Sequence, residues 1–145
     1  MFSRDFFPTP PEVIQQMLMS VDIPGKVFLE PSAGKGDIVD VLNSRGASQV
    51  LTFEKNPDLA TIVKEKSRVL GEDFVQCTPE QGSHIDCIVM NPPFSADERH
   101  IIHAWEIAPE GCQIIALCNS ATLDNTYSMG GRRRFDRAVP AGLCP

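Results

Sequence analysis

Residues 26–42 read KVFLEPSAGKGDIVDVL. Val27, Phe28 and Leu29 make a short apolar run closed by Glu30. A turn with two glycines, Gly34 and Gly36, separates that run from Ile38, Val41 and Leu42, which recur at helical spacing. An apolar run of this length bounded by turn residues reads as a buried strand, and the change of period marks a strand–turn–helix unit. Gly tolerates positive φ and lets a ligand approach the backbone, although a tight turn can use glycines for its own geometry. Two phosphate-binding loops are excluded by detail. A dinucleotide fingerprint wants Gly or Ala where Val39 stands, and a Walker loop wants Ser or Thr after Lys35 where Gly36 stands. An acid at the head of the turn suits a cationic or amino-bearing ligand better than a pyrophosphate.

Reading outward, the same alternation repeats. Pro10-Pro11 opens a helix over Glu12–Ser20, with Val13, Ile14, Met17 and Leu18 on one face. Lys26–Glu30 is the first strand, and Asp37–Arg45 the next helix, stopped at Gly46. Gln49–Glu54 is a second strand. Asn56-Pro57 is an N-cap with Pro at the first helical position, launching a helix over Asp58–Lys66. Ser67–Phe74 predicts a weaker third strand and Ile85–Met90 a fourth. Ser95-Ala96-Asp97-Glu98 is a capping box for a helix to about Ala108, and Gln113–Cys118 is a fifth strand. Strands alternating with helices predict an α/β fold built on a doubly wound, mostly parallel sheet. Ligands bind outside the carboxyl ends of such strands. That rule singles out Glu30–Gly36, Glu54, Asp73-Phe74, Asn91–Phe94 and Asn119-Ser120.

Composition narrows the class of protein. The 145 residues suffice for one α/β core, and 42% hydrophobic with 22% charged residues is ordinary for a globular chain. Thirteen Lys+Arg against nineteen Asp+Glu leave a net charge of −6. This argues against a dedicated basic nucleic-acid scaffold and leaves room for an enzyme that visits nucleic acid through a local patch. The five cysteines show no C-x-x-C pair, which predicts reduced thiols and a cytoplasmic setting. The N-terminal MFSRDFFPTPPEV lacks the apolar stretch of a signal peptide, and no run approaches a membrane span, so no membrane partner is expected.

The strand tips together resemble class I S-adenosylmethionine-dependent methyltransferases, in particular adenine-specific DNA methyltransferases with an Asn-Pro-Pro-Phe/Tyr motif. The likeness runs from about Phe6 to Ser120. FFPTPPEVIQQML is similar to the family's N-terminal cofactor segment, with Phe7, Thr9 and Pro10 as contacts. FLEPSAGKGDIVDVL is similar to its glycine loop, which implies Glu30, Pro31, Gly34 and Gly36 as cofactor-binding residues. Glu54 matches the ribose-binding acid, and Asp73 with Phe74 the pair that holds and flanks the cofactor's adenine. Asn91-Pro92-Pro93-Phe94 matches the catalytic motif.

The resemblance implies a Rossmann-like methyltransferase fold, S-adenosylmethionine as cofactor and nucleic acid as partner. The reaction it implies is methyl transfer to the exocyclic amine of adenine, in DNA ahead of RNA. Related enzymes methylate adenine in RNA or a glutamine amide in protein, because the motif reports the nitrogen and not the molecule that carries it. Asn91 would accept from the amine with its side-chain oxygen, the Pro92 carbonyl would accept the second N–H, and Phe94 would stack on the base. Asn91 also counts among the residues lining the cofactor.

Residues 1–120 form the expected catalytic domain, and 121–145 an irregular basic tail without a separate target-recognition domain. Family members continue past the fifth strand with a hairpin, so the sheet is expected to lack its last strands. The competing expectation is a cofactor-binding but inactive subunit, or one that pairs with itself or a partner for recognition. Arg132, Arg133 and Arg134, with Arg137, are either phosphate contacts or the exposed start of a helix. His100 and His103 lie one helical turn apart with no third ligand nearby, which favours a helix face over a metal site. Trp105 falls among apolar positions and is expected in the core.

Overall fold

Val27–Glu30 forms β1, the central strand of a five-stranded sheet in a computed structural model that describes residues 8–92 and 97–117. Around it the chain runs α1 (Pro11–Met17), β1, α2 (Asp37–Ser44), β2 (Gln49–Phe53), α3 (Pro57–Val63) and β3 (Arg68–Gly71). A 3-10 turn at Phe74–Gln76 follows, then β4 (Cys87–Met90), α4 (Asp97–Ile107) and β5 (Gln113–Ala116). The sheet order is β3-β2-β1-β4-β5, and every pairing is parallel. The fold is therefore the doubly wound α/β architecture that the alternating periods predict.

Alternation along the strands divides the core between two faces. Phe28, Val50, Cys87, Val89 and Ile115 pack with Ile14, Met17 and Leu18 near α1 and with Ile38, Val39 and Leu42 of α2. Leu29, Leu51, Ile88, Met90 and Ile114 face the other way, against Phe74 and α4 residues Ile101, Ala104 and Ile107. Burial on both faces explains why β1 and β4 read as continuous apolar runs. Phe28, Leu29, Ile88, Val89 and Met90 are all 0% exposed. Trp105 packs, partly buried, at the border of the second cluster.

Local chemistry sets the element ends. Asn56 Oδ1 accepts from the backbone N–H of Asp58 at 2.9 Å and of Leu59 at 3.3 Å, ahead of Pro57 in the first turn of α3. β3 is shorter than the expected Ser67–Phe74. It stops at Gly71, and Asp73 Oδ1 then accepts from Val75 N–H at 3.2 Å, which turns Phe74 into the 3-10 helix. The expectations for Phe7, for Pro93 and Phe94, for the Ser95 cap, for Cys118 to Ser120, for Arg132–Arg134 and Arg137, and for the tail at 121–145 fall outside the described residues. Among the described residues, no helix is long and apolar enough to cross a membrane.

The turn after β1 depends on its two glycines. Gly34 has φ 58° and Gly36 φ 97°, and Gly36 N–H donates to the Ala33 carbonyl at 2.9 Å. A Cβ at Gly36 would meet Lys66 Cε at 3.1 Å and Val63 Cγ2 at 3.2 Å. Gly36→Ala therefore combines left-handed strain with crowding against α3, and we expect it to cost about 1–3 kcal/mol of unfolding free energy. Urea denaturation of the two proteins side by side measures this, and an unchanged midpoint would refute the account.

Candidate functional site

The strand order reverses between β1 and β4, so no helix crossover closes the space at their carboxyl ends; this is the switch point where open α/β sheets bind ligands. Glu30 ends β1 there, and Asn91 follows β4. Glu30 is 1% exposed, an unusual position for a carboxyl. It accepts a hydrogen bond from Ser32 N–H at 2.6 Å. Burial pushes its pKa up to about 8 and the neighbouring Glu54 carboxylate adds to the rise, while backbone bonds from Ser32 and Asn91 oppose it.

Glu54, just past β2, braces the glycine turn. Its Oε1 accepts from Gly34 N–H at 2.8 Å and its Oε2 from Asn56 N–H at 2.9 Å. The Phe53 carbonyl also accepts from Ala33 N–H at 3.2 Å, so the turn is tied to β2 twice. The two acids thus meet at adjacent tips, where the Glu54 carboxylate favours a cationic ligand and Glu30 can ionise beside one.

Asn91 is half-buried, and its Nδ2 donates to Thr9 Oγ1 at 3.0 Å. Thr9 is 9% exposed, Pro31 and Pro92 are buried, and Pro10 is exposed at the start of α1. Thr9, Glu30, Gly34, Glu54 and Asn91 are joined by hydrogen bonds or electrostatic contact into one connected cluster. Asp73 lies at the β3 tip, where its carboxylate caps the turn that follows. Phe74 turns inward: it is 1% exposed and packs edge-on against Phe53 at 5.7 Å and against His100 and His103 at 5.6 and 5.0 Å. Its ring is thus part of the second core cluster and presents no open face at the tips.

His100 was legible only as part of a helix face. It is 5% exposed, with Nδ1 3.4 Å from Ser32 Oγ in the glycine turn. Burial lowers its pKa to about 4, Arg99 contributes in the same direction, and Asp73 opposes. His103 Nε2 lies 2.8 Å from the Cys77 carbonyl. Among the described residues, no three potential ligands converge on a metal position. Nothing in the spacing of α4 signals the contact with Ser32, because it arises only when α4 packs on the sheet face beside Phe74.

Comparison with solved structures defines the fold. The chain has the fold of S-adenosylmethionine-dependent methyltransferases. It superposes on a Pyrococcus horikoshii protein assigned as an RNA methyltransferase with TM-score 0.70 and 22% identity, covering 87% of this chain and 69% of that one. An RNA methyltransferase from Salinibacter ruber, solved with S-adenosyl-L-homocysteine, matches with TM-score 0.66 and 18% identity over 78% of this chain and 79% of that one. A dimethyladenosine transferase from Plasmodium falciparum matches with TM-score 0.65 and 15% identity, over 81% of this chain and 45% of that one. No family model and no curated protein sequence matches the chain.

The buried carboxyl makes stability depend on pH. Glu30 has a pKa of 4.5 in the unfolded chain and about 8 when folded, so between those values the native state holds a proton that the unfolded state has lost. Stability then falls as pH rises, by at most about 1.4 kcal/mol per unit. His100 acts in the opposite sense between about 4 and 6.5, where the unfolded state binds the extra proton. The two slopes oppose below 6.5, and the Glu30 decline stands alone from 6.5 to about 8. Urea titrations across that window are expected to show the decline in the parent protein and its absence in Glu30→Gln; parallel profiles would contradict it.

Proposed function

We propose that this chain transfers the methyl group of S-adenosylmethionine to the exocyclic amine of adenine in nucleic acid, with DNA as the first substrate. One observation carries the reading: a buried acid suited to a cationic cofactor adjoins, across the β1/β4 switch point, an Asn suited to binding an amine. When bound, S-adenosylmethionine supplies an electrophilic methyl group on a sulfonium. The residues present fit such a ligand. Glu30 is nearly solvent-free, faces a second carboxylate, and has backbone N–H groups from Ser32 and Asn91 as its stabilising partners. Each carboxylate offers about four acceptor positions, so Glu54 retains sites for ribose hydroxyls beyond its two backbone bonds. Asp73 takes the amino group of the cofactor's adenine, and Phe7 and Pro10 are further cofactor contacts on the pattern the resemblance implies.

Adenine's exocyclic nitrogen is a weak nucleophile because its lone pair is delocalised into the ring. Donation of one N–H to Asn91 Oδ1 and the other to the Pro92 carbonyl draws the nitrogen toward tetrahedral geometry and aims the lone pair. Two adjacent prolines hold that carbonyl, and Pro92 keeps Asn91 out of helical geometry. The gain comes from positioning and fixed dipoles rather than a strong base. Once methylated, the nitrogen releases a proton to solvent. Phe94 stacks on a base that has been turned out of the duplex, and Arg132–Arg134 contact phosphates. RNA is the second reading, favoured by the names of two of the similar structures.

Radiolabelled methyl transfer to unmethylated DNA, with RNA and a protein pool run alongside, tests the reading. Label in DNA supports it, label in RNA selects the second reading, and cofactor binding without any labelled substrate defeats both. Asn91→Ala should keep cofactor affinity while transfer falls at least about a hundredfold, the scale of losing one fixed dipole at the reacting atom. Glu54→Ala removes acceptors for the ribose and for Gly34 N–H, and should weaken cofactor binding about tenfold or more. Calorimetry of both variants separates these roles; unchanged affinity in Glu54→Ala counts against its assignment.

A further inference from the structure

Asn91 is an amide whose two ends fill nearly the same space and have opposite hydrogen-bonding character. With the oxygen toward an incoming amine it accepts; with the NH2 group there, it sets donors against donors. Something must therefore orient it. The described contact is Nδ2 donating to Thr9 Oγ1 at 3.0 Å, from a residue 82 positions away in the chain. A hydroxyl can accept from the amide nitrogen or donate to the amide oxygen; the structure has the nitrogen toward Thr9, which points the oxygen away from it.

The Thr9 hydroxyl is held firmly enough for this task. Thr9 is 9% exposed and stands next to Pro10, whose φ of −60° and ψ of 146° are extended. The Pro10 carbonyl accepts from Val13 and Ile14 N–H at 3.0 and 3.1 Å, tying the segment to α1. α1 is in turn anchored by Ile14 and Met17, which are buried in the first core cluster. Thr is also restricted at χ1 by its β-branch. Asn91's backbone is placed separately, at the end of β4 beside β1, where its N–H favours the charged form of Glu30.

We propose that Thr9 is a positioning residue for Asn91, its hydroxyl holding the side-chain amide so that Oδ1 is the end offered to the reacting amine. This gives Thr9 a role distinct from the cofactor contact implied by the resemblance. It rests on the methyl-transfer reading for the identity of the amine, whereas the orientation of the amide is testable without it.

Thr9→Val preserves shape and removes the hydroxyl. Its turnover should fall about tenfold or more, because small losses of alignment at the reacting atom are costly. Its cofactor affinity should stay within about twofold, and Thr9→Ser should recover turnover to within about threefold of the parent, since it restores the acceptor. Loss of cofactor affinity at unchanged turnover would make Thr9 a cofactor contact and overturn the proposal, as would equal impairment of the Val and Ser variants. Independently of activity, the Asn91 side-chain NH2 resonances, assigned by their absence in Asn91→Asp, should show an NOE to the Thr9 methyl. They should shift in Thr9→Val and not in Thr9→Ser. If no substrate is ever labelled, the functional reading fails while these resonances still decide the orientation. Their indifference to Thr9→Val, or the absence of the NOE, would sink the proposal.

Discussion

A carboxyl buried at the point where a parallel sheet reverses its strand order is the constraint around which this molecule is arranged. Glu30 ends the central strand at 1% exposure, and desolvating a charge there costs more than the fold can spare unless the group is neutral or finds partners. It accepts a backbone hydrogen bond from Ser32 in the glycine turn after β1, and the Asn91 N–H after β4 also favours its charged form, so one side chain senses both segments. Burial leaves it protonated at neutral pH, and a cation arriving beside it would reverse that balance.

The neighbouring tips are organised by the same need to satisfy backbone groups near a ligand site. Glu54 takes Gly34 N–H and Asn56 N–H, so it holds the turn in its left-handed conformation and adjoins the cap of α3. Asp73 caps the turn that carries Phe74 into the interior, where the ring meets Phe53 and the two histidines of α4. His100 then reaches back toward Ser32, so the sheet face opposite α1 and α2 also supports the glycine turn. Through such contacts a small set of polar side chains is aligned by two separate cores.

Much of this was legible in the chain because the signals are local. Apolar runs ending in Glu30, Phe53 and Met90 marked the strands, the change of period marked the helices, and Asn56-Pro57 marked a cap that forms as read. The glycine spacing and the acids at successive strand tips marked the candidate site. What escaped had a long-range cause. Phe74 follows an acid at a strand tip and reads as a ligand contact, yet the 3-10 turn aims its ring into the core. His100 and His103 carry helical spacing and nothing more; their packing on Phe74 depends on which sheet face α4 covers. β3 lost its expected end because a side-chain cap competed with the ladder after Gly71.

The sequence by itself determined the alternation of strand and helix, the parallel sheet, and the residue types at each strand tip, because periodicity, capping and turn chemistry act over a few neighbouring residues. Only the tertiary structure decided which tips converge. Glu30 and Asn91 lie sixty-one positions apart and meet because β1 and β4 pair as neighbours. Thr9 reaches Asn91 because α1 docks its apolar face on the first core cluster. The physical reason is that a side chain's partner, its desolvation and hence its charge state are properties of the packed sheet, and no local stretch of chain carries them.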